Sequence, residues 1–200
     1  VALTTAQIQT MGTAQVAALA TGQVAAMEVV DLLAMTSAQV RAMGLNQVAA
    51  WTTAQFAALA TSQISVLSSA QTGAFVTSQI AALKTSQSAA LTTTNASGLI
   101  ADQISQFSTA SVAALGSDAL RILNSVQIVA LTTDQIVALT SNQVSALTTA
   151  NVAALSQGQM AAIETRDIQV ITSAAIKALS SAQLTALRTD QVAAILTSQI

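Results

Sequence analysis

The sequence predicts an all-α repeat solenoid, a superhelix of short capped helices with one helix per eight residues. Three observations carry that prediction. Large apolar residues recur with a period of eight over all 200 residues, without one insertion or deletion. A helix-start signature recurs at the same place in the octad, as at Leu3–Ile8, Met35–Val40, Trp51–Phe56, Leu131–Ile136 and Leu139–Val144. And eight residues at about 100° per residue overshoot two helical turns by roughly 80°, so one continuous helix would spiral its apolar row around the cylinder and leave no fixed buried face.

With the octad lettered a to h from Val1, slot c is large and apolar in all 25 repeats, and slot h in 22, the exceptions being Thr72, Ser88 and Ala96. Slot g is Gln in 18, slot e is Thr or Ser in 21 and slot b is Ala in 19, giving the consensus x-Ala-Leu-Thr-Thr-x-Gln-Ile/Val. A frame this strict suits a stack in which every unit touches its neighbours, since such a stack tolerates no loop insertions. The domain reading is therefore a single continuous array over 1–200. It opens on Val1 rather than Met and closes on a complete repeat, which reads as an excerpt of a longer chain.

Leu131-Thr132-Thr133-Asp134-Gln135-Ile136 shows the local chemistry. Thr132 suits the N-cap, and Gln135 three residues later completes a capping box. Leu131 and Ile136 flank it as the partners of a hydrophobic staple. The same devices recur at Leu3–Ile8 and at Leu139–Val144, where Thr140 and Gln143 form the box. Each octad is thus expected to hold a helix of about six residues, roughly 9 Å long. Helices so short do not persist alone in water, so stability must come from stacking, with Ala in slot b allowing close contact. The expected interior is a Leu/Ile/Val spine and the expected exterior Thr, Ser and Gln. The candidate structural residues are Leu3, Ile8, Leu131, Ile136, Leu139 and Val144 in the core, and Thr132, Gln135, Thr140 and Gln143 as caps.

Slot e is more constantly Thr or Ser than slot d, where Gly12, Ala20, Glu28, Val76, Lys84 and Ile100 appear. Either the cap shifts to slot e in some repeats or slot e has a packing role of its own. Slots g and h degrade between Ser65 and Val126, for which a kink, a cap region or relaxed selection are alternative explanations. Trp51, Phe56, Phe75, Phe107 and all five Met occupy slots c or h and read as core. The rival fold is a β-solenoid, because Thr, Val, Ile and Gln suit strands and ladders. Against it stand abundant Ala, adjacent apolar slots b and c, and only 7 Gly to turn the coils.

Composition narrows function by exclusion. Charged residues are 7%, against about 25% in an ordinary domain, and the net charge is −2. Neither nucleic acid nor an anionic membrane surface is an expected partner. Thr, Ser, Gln or, in residues 25–32, Glu28 and Asp31 interrupt every octad, so no membrane span is expected. His and Cys are absent; nucleophilic catalysis then has no imidazole base, and the common soft metal ligands are missing. Phosphate-loop and dinucleotide motifs are also missing. No enzyme activity, cofactor, metal or small-molecule substrate is expected. The acidic pairs Glu28/Asp31 and Glu164/Asp167 fall in slots d and g, where they are expected to cap helix starts. Calcium binding is the weaker reading, in the absence of an EF-hand loop. Arg166 between them reads as part of a surface charge cluster.

The string Leu-Thr-x-x-Gln, at Leu3–Gln7, Leu131–Gln135 and Leu139–Gln143, resembles the helix-start motif of the LTxxQ periplasmic chaperones over five residues. Along its whole length the chain resembles octad tracts rich in Leu-Thr-Thr-Ala-Gln-Val-Ala-Ala in very large bacterial exoproteins, often labelled haem-utilisation or adhesion proteins. That resemblance implies a secreted or surface-displayed repeat protein. Its haem element is unsupported, because His, Cys and Tyr are all absent as axial ligands.

The expected function is structural: an extracellular filament subunit or adhesin stalk that self-associates into fibres or bundles, since a surface poor in charge repels copies of itself weakly. The alternative is a solenoid binding module for a protein or surface ligand, with specificity in slots a and f. A minor alternative is ice binding by Thr rows in slots d and e.

Overall fold

The computed structural model describes residues 4–200; Leu3, the first of the expected core positions, lies outside them. Among these residues twenty-four α-helices of four to six residues follow one another, from Thr5–Thr10 to Thr189–Ala194, with a final 3-10 turn at Thr197–Gln199. No strand occurs among the described residues, so the β-solenoid alternative is not the fold.

The cap never moves to slot e. Slot d is the extended N-cap, as at Thr132 (φ −74°, ψ 161°), and every helix starts in slot e. Where slot d is Thr, Ser or Asn its side chain accepts from the slot-g N–H (3.2 Å from Gln135 to Thr132, 3.0 Å from Gln127 to Asn124). Where slot d is Gly12, Ala20, Val76 or Ile100, the other half of the box still operates. The N-cap N–H donates to the Gln side-chain oxygen at 2.8–2.9 Å whatever side chain the cap residue carries. Slot d therefore tolerates variation that slot g does not. The slot-e hydroxyl is mostly exposed, and among the described residues only Thr5, Ser141 and Thr165 use theirs in a side-chain hydrogen bond. Nothing in the structure explains the constancy of slot e elsewhere.

Where slot g is Gln, the same side chains also mark the helix ends. In a continuing helix the Thr132 N–H would donate to the Ile128 carbonyl four residues earlier. Instead that N–H goes to Gln135 Oε1 (2.8 Å), and the Ile128 carbonyl accepts from Gln159 Nε2 (2.9 Å), one superhelical turn further on. Both halves of the helical bond are thus taken by side-chain amides, and slot c returns to extended backbone (Leu147, φ −61°, ψ 131°).

Each helix packs on the third one after it: Thr5–Thr10 on Val29–Ala34, Thr13–Ala17 on Ser37–Ala42, and so on to Ser173–Lys177 on Thr197–Gln199. The slot-g amides reach carbonyls 28 and 31 residues earlier. A superhelical turn therefore takes between three and four octads. Slots c and h fill its interior in one continuous apolar cluster that includes Ile8, Leu131, Ile136, Leu139 and Val144. Trp51, Phe56, Phe75 and Phe107 are all buried there, with Phe56 and Phe75 in an edge-to-face pair at 4.8 Å.

The stretch in which the sequence pattern weakens keeps the same architecture and contains a very close helix contact. Helices Ser69–Gly73 and Thr93–Gly98 approach until a Cβ on Gly98 would lie 1.9 Å from the Ser69 carbonyl oxygen, and one on Gly73 2.8 Å from that of Gly98. Thr72 and Ala96, two of the three small slot-h residues, belong to these helices. Thr72 Oγ1 donates across the contact to the Asn95 carbonyl at 2.8 Å. Small residues are required there because the backbones nearly touch.

Candidate functional site

The polar group repeated most often inside this molecule is the slot-g amide. Sequence reasoning placed Gln on the exterior; the structure buries it. From Gln39 onward every slot-g glutamine is buried, and Gln135, at 2% exposure, shows how each is used. Its Oε1 accepts from the Thr132 N–H, and its Nε2 donates to the carbonyls of Ile104 (3.0 Å) and Phe107 (2.7 Å). Gln143 repeats this with Thr140, Val112 and Leu115 at 2.8 Å each. The donor groups exposed at one helix start and the acceptors left at an earlier helix end are thus satisfied by one side chain.

Only Gln performs all of this. Asn95 and Asn151 keep the cap but reach one carbonyl each, Leu67 and Leu123. Ser111 reaches the Leu83 carbonyl, and Ala119 and Ala175 are buried with no side-chain polar group. A signal for this role was present in the sequence: no slot g holds Glu, although Glu would serve a capping box as well and suit the helix dipole better.

The acidic pairs do not form the caps expected of them. Glu28 and Glu164 stand at N-caps without a side-chain cap bond. Asp31 and Asp167 are buried and turn away from their own helix starts to accept from hydroxyls one turn earlier, Thr5 Oγ1 (2.9 Å) and Ser141 Oγ. The physical reason is position: slot g faces the preceding turn, and a carboxylate there needs a donor from it. Arg166, largely exposed, pairs with Glu164 and lies 3.8 Å from Asp167. Asp190 accepts from Arg188 and from Thr165 Oγ1 (2.6 Å), and these partners hold its carboxyl down at about 2.

Among the described residues no group of three or more acidic, His or Cys side chains is gathered as a metal site, and no helix is long and apolar enough to cross a membrane. An open surface groove of about 560 Å³ runs between Ala17–Thr21 and Gly44–Gln47, with no charged residue in its lining. Trp51 Nε1 and Ser88 Oγ are buried without partners; both lie in the spine. The repeated site of this protein is the contact between its own turns.

No curated protein gave a significant match to the chain. A family model described as the ALTTAQ repeat matches residues 1–29, 24–61, 104–141, 130–157 and 160–198. The interval between these matches, 62–103, contains the small slot-h residues and the close glycine contact, yet Gln63, Gln71, Gln79 and Gln87 hold the same bonds there. With most of its length matched and one hydrogen-bond register running through it, the chain belongs to the ALTTAQ repeat family.

Proposed function

We propose that this chain is a structural shaft, an extracellular stalk or filament segment displayed on a cell surface, and not an enzyme. The observation that carries the reading is the cross-turn amide register. Slot-g side chains from Gln39 to Gln199 tie each turn to the one before it in a single frame, so the repeated interaction runs along the superhelix. Loops that would host a catalytic or ligand site are absent among the described residues, since helix follows helix with only two to four residues between. A low-charge surface and the absence of Cys suit a long secreted polymer.

The binding-module reading has less to support it. All four aromatic side chains, the commonest anchors of binding surfaces, are in the core.

Negative-stain imaging of the purified chain, beside a version in which octads 105–160 are duplicated, tests the shaft. Uniform rods that lengthen in proportion to the added octads are expected; round particles of unchanged length would reject it. Labelling of intact, unpermeabilised cells by an antibody to the array tests surface display.

A further inference from the structure

Slot e keeps a hydroxyl where the slots beside it do not. From Ser37 to Ser173, where a turn lies on either side, fifteen of eighteen octads hold Thr or Ser in slot e. The flanking slots d and f are as exposed, yet along the chain slot d takes eleven residue types and slot f eight. The fold does not use the slot-e hydroxyl. The cap belongs to slot d, and of those fifteen hydroxyls only Ser141 and Thr165 make a hydrogen bond among the described residues. Eleven of the other thirteen are exposed, with Ser69 and Ser117 half-buried.

Three ordinary reasons for such constancy fail. Small size would favour Ala, the best helix former, which fills slot f nine times and slot e once, as Ala101. Branching at Cβ would favour Val as much as Thr and would not admit Ser; slot e has seven Ser and one Val, Val29. Polarity alone would admit Asn, Asp, Lys and Glu, and none of these stands in slot e. What the slot keeps is the hydroxyl itself. Non-covalent capture of a carbohydrate or a flat lattice has little behind it. All four aromatic side chains are buried. Each octad also advances between a quarter and a third of a superhelical turn, so the hydroxyls encircle the shaft instead of lining one side.

We infer that the exposed slot-e hydroxyls are acceptors for O-linked sugars, one neutral sugar on each, which together coat the outside of the superhelix. The hydroxyl oxygen attacks the anomeric carbon of a sugar carried on a nucleoside diphosphate. An Oγ–C1 bond forms and the C1–O bond to phosphate breaks; the nucleoside diphosphate leaves with that electron pair, and the hydroxyl proton passes to a base of the transferring enzyme. A neutral group fits better than a phosphate. Thr77, Thr93 and Thr109 stand 25 residues before Asp102, Asp118 and Asp134, the spacing at which Thr165 Oγ1 meets Asp190. A phosphate there faces carboxylates in a chain with only six Lys and Arg, whereas a sugar offers them hydroxyl donors. The coat also supplies hydration that 7% charged residues do not, over a surface on which Ile100, Val126 and Val129 are 52%, 66% and 52% exposed.

Mass spectrometry of the array isolated from the cells that make it, beside the same sequence made by cell-free translation, tests this. The native array is expected to be heavier by whole sugar units, with fragmentation placing them on Thr53, Thr85, Thr133 and the other exposed slot-e residues. Thr52 and Thr132, whose oxygens hold slot-g N–H groups, are expected to be bare, as are Ser141 and Thr165, whose hydroxyls bond Asp. A native mass equal to the translated one, sugars spread evenly over slots d, e and f, or phosphate in place of sugar overturns the inference. Thr53→Ala, Thr61→Ala, Thr77→Ala and Thr85→Ala together are expected to remove the sugars of those four sites and to leave the urea midpoint of the translated chain unchanged. A lowered midpoint would assign the hydroxyls to the fold instead and overturn the inference as well. Rods that carry no sugar would leave the shaft intact and remove only the coat.

Discussion

Replacing one atom of a slot-g side chain separates the two jobs that the structure assigns to it. Gln135→Glu keeps an oxygen for the Thr132 N–H but removes both donors to the Ile104 and Phe107 carbonyls, 3.0 and 2.7 Å away. Two lost hydrogen bonds cost about 1 kcal/mol each net. A carboxylate confronting carbonyl oxygens in a site 2% exposed adds the penalty of an unpaired buried charge, for a total of about 3–5 kcal/mol at neutral pH. That penalty is present above the ordinary glutamate value and disappears below about pH 4, where the side chain is neutral in both states. The matched control is Gln15→Glu. Gln15 is exposed and makes only the cap bond to Gly12, so the same change should fall within about 0.5 kcal/mol, on the stabilising side because the charge sits at a helix start. Gln135→Asn should fall between them, at about 1 kcal/mol, by analogy with Asn95 and Asn151. Because long arrays lose two-state behaviour, urea unfolding should be read together with amide exchange around each site. Equal effects of Gln135→Glu and Gln15→Glu would refute the cross-turn role.

The glycine contact predicts opposite signs for one substitution. Gly98→Ala drives a methyl into the Ser69 carbonyl and should cost about 1–3 kcal/mol in urea unfolding, while Gly22→Ala, with nothing within 4 Å, should gain about 0.5–1 kcal/mol. Ala175→Gln would supply the missing amide to the Val144 and Leu147 carbonyls; a melting temperature raised by several degrees is expected, and an unchanged or lowered one would mean that the turn spacing there has closed around alanine. Asp190, held down at about 2 by Arg188 and Thr165, contributes stability that is complete above the ordinary aspartate value and lost as pH falls toward 2. Carboxyl NMR titration should show that depression, and Arg188→Ala should return Asp190 most of the way to normal.

Much of the architecture was legible because the period of eight is incompatible with one helix and because Thr132-x-x-Gln135 spells a cap with its staple partners Leu131 and Ile136 beside it. Slot-h and slot-c residues announced the core in the same way. The glutamine's larger role was harder to read, because capping and cross-turn bonding both select Gln; what separates them is the exclusion of Glu, which follows only from the nature of the partners 28 and 31 residues away. The acidic pairs misled for the same reason. Asp31 and Asp167 occupy a capping slot, yet that slot faces the preceding turn, and a short carboxylate finds a hydroxyl there before it finds its own N-cap. The glycine contact was invisible in sequence, since Thr72, Gly73, Ala96 and Gly98 read as decay of the pattern until the two helices are seen against each other.

The central claim is that glutamine amides inside the superhelix hold one turn to the next, and side-chain amide exchange tests it most directly. With ¹⁵N-glutamine labelling of the monomer, the fifteen buried slot-g glutamines should show side-chain NH₂ pairs protected from solvent exchange, while Gln7, Gln15 and Gln23 exchange freely. Uniformly fast exchange along the whole chain would contradict the account.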